Sequence, residues 1–152
     1  MINAELTTNA LEVIEDFKKF NIKEMRKATK TALRKGAQVL AKKTRQLLKS
    51  RLPNATKRNK KYRDRLSDGV RYKVDRNGDI AKVHIMGSGK KGSGTFRLRF
   101  FEKGTKVRKN RGQIKPLYFF KSAGQQSQNE VNNAVTQHLI ETIKKIKEKR
   151  SQ

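Results

Sequence analysis

The sequence predicts an α+β domain: an antiparallel sheet of about four strands packed against a long N-terminal helix and a C-terminal helix, with long basic loops. Three observations carry that expectation. Apolar and small residues recur every three or four positions over residues 25–48 and again over 131–146. Between these stretches, two alternating segments flank Asn77-Gly78, a favoured centre for a tight hairpin. Residues 95–101 then alternate once more, with Phe96, Leu98 and Phe100 set against Arg97 and Arg99.

The first 20 residues hold Glu5, Glu12, Glu15 and Asp16 against only Lys18 and Lys19. Leu11, Ile14 and Phe17 repeat at helical spacing, so 9–20 reads as a short amphipathic helix or as an arm that frays. Its acidity against a basic remainder suggests docking on this chain or on a copy of it. The organisation expected is an acidic arm over 1–20 and a single domain over 21–152.

Asn21 reads as a helix N-cap, with Glu24 completing a reciprocal capping box. Met25, Ala28, Ala32, Gly36, Leu40, Thr44 and Leu47 form an inner stripe, which Leu33, Ala37 and Leu48 widen. Pro53 stops the helix near residues 49–51. Residues 54–65 are polar, basic and without period, which fits a solvated loop or a polyanion contact.

With Asn77-Gly78 as the turn, Val74 faces Ala81, Tyr72 faces Val83 and Val70 faces Ile85. The other face then sets Lys73 against Lys82 and Arg71 against His84. Like charges directly opposite repel in a sheet, so that face is either well solvated or matched by something anionic. Residues 87–94 (GSGKKGSG) have linker composition. A phosphate-loop reading fails there, because Ser93 stands where a lysine is needed and a strand rather than a helix is expected next.

The strand over 95–101 repeats the apolar-in, basic-out rule. A basic loop follows over 102–113, and Pro116 opens a short edge strand over 117–120. Gly124 to Gln126 should break the chain before Ser127, whose capping box with Glu130 starts the last helix. That helix carries Val131, Val135, Leu139, Ile143 and Ile146.

Composition narrows the functional classes. The chain has 152 residues, 34% of them hydrophobic, and a net charge of +26. Such a charge draws a protein toward polyanions: nucleic acid first, acidic protein surfaces second. Arg71, Lys73, Lys82, Arg97 and Arg99 are the candidate contacts with DNA or an acidic partner. There are no cysteines, which excludes disulfides and thiolate metal sites. No run approaches the roughly 20 apolar residues of a membrane span, and the first residues lack the apolar core of a signal peptide. His84 and His138 have no second ligand at metal spacing, the carboxylates are dispersed, and no serine has a positioned base. No cofactor or catalytic activity is expected.

At Phe100-Phe101-Glu102-Lys103-Gly104-Thr105 the chain resembles the tail-component family of long-tailed bacteriophages, which includes tail-completion, neck and head–tail joining proteins. The pattern comprises a long helix ending near a proline, here 25–53, and Leu66 to Val70 leading into a strand. It continues through Met86-Gly87 and an aromatic-Xaa-Glu-Xaa-Gly-Thr turn at 100–105. It closes with a Pro-aromatic stretch, Pro116 to Ala123, before a C-terminal helix. Asp64-Arg65 and Ser122 stand where the pattern has Thr-Gly and a second proline.

The resemblance implies a structural virion subunit of the neck or tail, assembled in the host cytoplasm as a ring through which DNA passes. The implied partners are copies of itself, portal or connector, tail-terminator and tail-tube proteins, and viral DNA without sequence readout. It implies docking through Phe101, Glu102, Lys103, Gly104, Thr105, Lys106, Arg108, Lys109 and Arg111. The alternative from charge alone is a module that binds phosphate backbones without reading bases.

Overall fold

The computed structural model of the chain describes Glu15 and residues 21–62, 64–85, 93–107, 109 and 112–150. The expected arm over 1–20, apart from Glu15, lies outside the described residues. So do Met86-Gly87 and most of the glycine-rich segment.

Helix α1 spans Ile22–Arg51 and starts as its local chemistry dictates. The Asn21 side chain accepts the Glu24 N–H at 3.0 Å, and the Glu24 carboxylate accepts the Asn21 N–H at 3.3 Å. Its buried face is built from small residues: Ala28, Ala32, Gly36, Ala37, Ala41 and Thr44, with Leu48 near the end. Small side chains let another helix approach closely. Helix α3, Phe119–Arg150, takes that place. A Cβ on Gly36 would lie 2.5 Å from Val135 Cγ2 and 3.3 Å from Val131 Cγ1. The two helices run antiparallel: Arg150 pairs with Glu24 at one end, and Arg51 donates to the Leu117 carbonyl at the other.

The sheet is one hairpin, β1 (Arg71–Val74) against β2 (Ala81–His84). Its register matches the sequence reading at four pairs, from Arg71 opposite His84 to Val74 opposite Ala81, while the expected Val70–Ile85 pair lies beyond the strands. The turn differs. Asn77 does not take the positive φ that a type I′ turn requires; only Gly78 does, at 82°. Instead, Asp75 Oδ1 accepts the N–H groups of Gly78, Asp79 and Ile80 at 2.8, 2.9 and 3.2 Å. The hairpin lies along α1. Val70 takes a hydrogen bond from Arg45, the Tyr72 hydroxyl one from Gln38, and Gly78 sits against the Arg26 carbonyl and Lys30.

Two expected strands are helical. Residues 95–97 form a single 3₁₀ turn and Leu98–Lys103 form helix α2. The inward residues are Leu98 and Glu102, four apart on one helical face, so the alternation of Phe and Arg does not set the geometry. Phe96 is 40% exposed rather than inward, and Arg97 is half-buried rather than outward. The expected edge strand over 117–120 is the entry to α3, and the helix runs unbroken through Gly124 to Gln126. Ser127 is therefore no cap. It sits fully buried inside α3 and donates to the Ala123 carbonyl at 2.7 Å. The four-stranded sheet thus reduces to two strands among the described residues.

The core gathers at the C-terminal end of α1, where Ala41, Leu48, Ala55, Val70, Leu98 and Phe119 are all buried. Among the described residues, six of the eleven buried hydrophobic ones are alanines, so this core is thin.

Candidate functional site

Residues 100–121 form a tightly built clasp. Helix α2 ends at Gly104, which has φ 74° and no room for a side chain: a Cβ there would lie 2.8 Å from the Ile114 carbonyl and 2.9 Å from Pro116 Cδ. Only glycine combines that backbone with that proximity. Thr105 then pairs with Ile114 twice: its N–H donates to the Ile114 carbonyl at 2.9 Å, and its hydroxyl accepts the Ile114 N–H at 3.0 Å. Phe101 and Glu102 carbonyls accept the N–H groups of Leu117 and Tyr118 at 2.7 and 3.2 Å.

The Glu102 side chain completes the clasp. It is 6% exposed, and its two oxygens accept the N–H groups of Phe120 and Lys121 at 2.8 and 3.0 Å. Those are second- and third-position donors of α3, which have no partner inside the helix. A carboxylate there also meets the positive end of the helix dipole. Tyr118, just before the helix, holds the left-handed φ of 46° that turns the chain into this cap.

The expected docking residues therefore divide. Glu102, Gly104 and Thr105 are internal fasteners, and Phe101 is half-buried against the core. Lys103, Lys106 and Lys109 are exposed and free to meet a partner. Arg108 and Arg111 lie outside the described residues.

The expected cationic contacts divide as well. Lys73 and Lys82 face one another, exposed, on the side of the hairpin away from α1. Arg71 shares that side, with its Nε donating to the Asp68 carbonyl at 3.2 Å. Arg97 and Arg99 leave the sheet altogether and sit on the 3₁₀ turn and α2.

Arg97 instead lines an aromatic cleft of about 490 Å³ together with Tyr62, Phe96, Phe100 and Phe101. Tyr62, Phe96 and Phe100 form an edge-to-face ladder with centroid separations of 6.3 and 6.2 Å. The Arg97 guanidinium lies 4.5 Å from the Tyr62 ring centre, and that of Arg99 lies 5.2 Å from Phe100. Asp64 fastens this region: its Oδ2 accepts from the Ser93 hydroxyl at 2.6 Å and the Gly94 N–H at 2.8 Å. Gly94 is buried so closely on Tyr62 that a Cβ would lie 2.6 Å from its ring. Sequence reasoning placed Phe96 and Phe100 under a helix and Tyr62 in a solvated loop. The one signal that pointed here was a tyrosine set within a basic run.

Among the described residues, no group of three or more His, Cys, Asp or Glu could hold a metal ion, and no helix is long and apolar enough to cross a membrane. The chain matches no protein-family profile, no curated protein and no solved structure.

Proposed function

We propose that the chain is a non-enzymatic structural subunit of a bacteriophage neck or tail, forming a ring at the head–tail interface through which DNA passes. The observation that carries this reading is the clasp. Glu102, Gly104, Thr105, Pro116 and the aromatic stretch after it are separate in the sequence pattern, yet they act as one fastening between α2 and the start of α3. Residues whose order and spacing carry the resemblance thus share a physical task. The thin, alanine-rich core also suits a subunit that gains burial from neighbours.

In this reading Lys103, Lys106 and Lys109 meet adjoining subunits or adjoining rings, whether portal, connector, terminator or tube. The cationic side of the hairpin meets viral DNA or an acidic neighbour. Cryo-electron microscopy of the phage particle should show copies of the chain in a closed ring at the head–tail junction. Its absence from the virion would overturn the assignment.

A second reading, a nucleic-acid module that grips phosphate backbones, is favoured by the opposed Lys73 and Lys82 and by the net charge of +26. Its binding constant for DNA would fall with salt by roughly 0.9 log units per log unit of salt for each phosphate neutralised. Weak binding at moderate salt removes that reading.

A further inference from the structure

We infer that the aromatic–arginine cleft receives the acidic amphipathic segment around residues 11–17 of a second copy of this chain. The inference rests on the self-assembly in the reading above and names the contact that would drive it. Leu11, Ile14 and Phe17 recur every three residues, a spacing that a helix would carry at a rise of about 4.5 Å per step. The ladder of Tyr62, Phe96 and Phe100 offers apolar surface at a repeat of 6.2–6.3 Å, with Phe96 40% exposed.

Charge supports the same pairing. Residues 1–17 contain four carboxylates and no lysine or arginine, in a chain that is otherwise strongly basic. Glu12, Glu15 and Asp16 lie beside the apolar stripe, and Glu15 is exposed. Arg97 lines the cleft, Arg99 lies over the Phe100 ring at 5.2 Å from its centre, and Lys61 stands 5.5 Å from the Tyr62 ring centre. Apolar stripe on aromatic ladder, and carboxylates on guanidinium groups, is complementarity of both kinds.

Reach decides which copy is involved. The cleft borders the core at the far end of α1, where Phe101 packs against the cluster that contains Leu48. From Asn21 to Ala41, the member of that cluster nearest the start of α1, the helix rises about 30 Å at 1.5 Å per residue. Phe17 precedes Asn21 by four residues, a span of at most about 14 Å even when fully extended, and Leu11 by ten, about 36 Å. With Phe17 tied within about 14 Å of Asn21, a stripe that engages all three residues does not reach its own cleft, so a neighbour supplies it.

The chain has no native cysteine, which makes a direct test clean. Full-length Ile14→Cys and full-length Phe96→Cys are purified separately, mixed and oxidised, so that a disulfide between the two kinds must join two chains. The expected result is a disulfide-linked dimer well in excess of that from Ile14→Cys mixed with Lys144→Cys, a position on the exposed side of α3. Arg99→Cys replaces Phe96→Cys if the latter fails to fold. Arg99→Glu added to the cleft partner should lower the yield, and Glu15→Arg on the arm partner should restore it.

A chain carrying both Ile14→Cys and Phe96→Cys that closes on itself as a monomer would overturn the inference. So would a yield no greater than the control while light scattering shows oligomers. That second outcome leaves self-assembly standing and moves the contact elsewhere. A chain that stays monomeric at every concentration overturns both.

Discussion

The carboxylate of Glu102 accepts the backbone N–H of Phe120, eighteen residues further along, at 2.8 Å, and its second oxygen takes the next N–H in line. A helix of 32 residues thus begins on a cap supplied by another segment. This links α2, the loop around Ile114 and the start of α3, and it fixes how the exposed Lys103 and Lys106 are presented.

Glu102→Ala should be among the more damaging substitutions in the chain. It leaves two donors near the start of α3 without their acceptor and removes the charge that meets the helix dipole. The expected loss is about 1–3 kcal/mol, or roughly 3–10 °C in melting temperature for a chain of this size. Glu102→Gln keeps a neutral acceptor and should fall between. Thermal melts followed by circular dichroism measure both, and an unchanged melting temperature for the alanine variant would remove the cap from the account.

Gly104 and Gly112 both have positive φ, but the ψ of −178° at Gly104 lies outside the left-handed region that asparagine tolerates, so asparagine should be costlier there. At Gly104 the side chain would run into the Ile114 carbonyl and Pro116, so Gly104→Asn should destabilise by about 1–3 kcal/mol. At Gly112, with φ 66°, nothing lies within 4 Å, and Gly112→Asn should be close to neutral. Urea unfolding of the two variants measures the difference.

The parts of the fold legible in the sequence are those whose determinants are local. Asn21 and Glu24 cap α1 across three residues, and Pro53 ends it within one turn of its last residue, Arg51. The register of the hairpin follows from a period of two and a short loop, so all four pairs were readable. The third strand failed because only apolar residues were counted inward: Leu98 shares its buried face with the charged Glu102. The start of α3 failed because its cap comes from eighteen residues upstream, while the local Ser127–Glu130 pair imitates one. The cleft was hidden because Tyr62 meets Phe96 only after the chain folds back.

Gly36 and Gly124 both lie in long helices, and only one is required. Gly36→Leu would force Val131 and Val135 away and should cost about 1–3 kcal/mol by overpacking the α1–α3 contact. Gly124 is exposed with nothing within 4 Å, so Gly124→Ala should stabilise by about 0.5–1 kcal/mol. Melting temperatures moving in opposite directions would confirm that α3 is continuous through the expected break. A loss of stability in Gly124→Ala would argue for a kink there.

The turn of the hairpin should respond to acid through Asp75. The hydrogen bond from the Ile80 N–H holds its carboxyl below the ordinary 3.8; the Asp79 and Gly78 N–H groups and the charge of Lys30 act the same way, against a partial desolvation that pushes up. Because the folded value is the lower one, the stabilisation is fully present above 3.8 and is lost as pH falls through the folded value. Asp75→Asn keeps an acceptor oxygen but does not titrate. The difference in melting temperature between the native chain and Asp75→Asn should therefore be constant near neutral pH and shift against the native chain below 3.8. Comparing the two cancels the other carboxylates, which titrate in both. A difference that holds steady through the acid range would mean that the Gly78, Asp79 and Ile80 N–H groups gain nothing from the charge on Asp75.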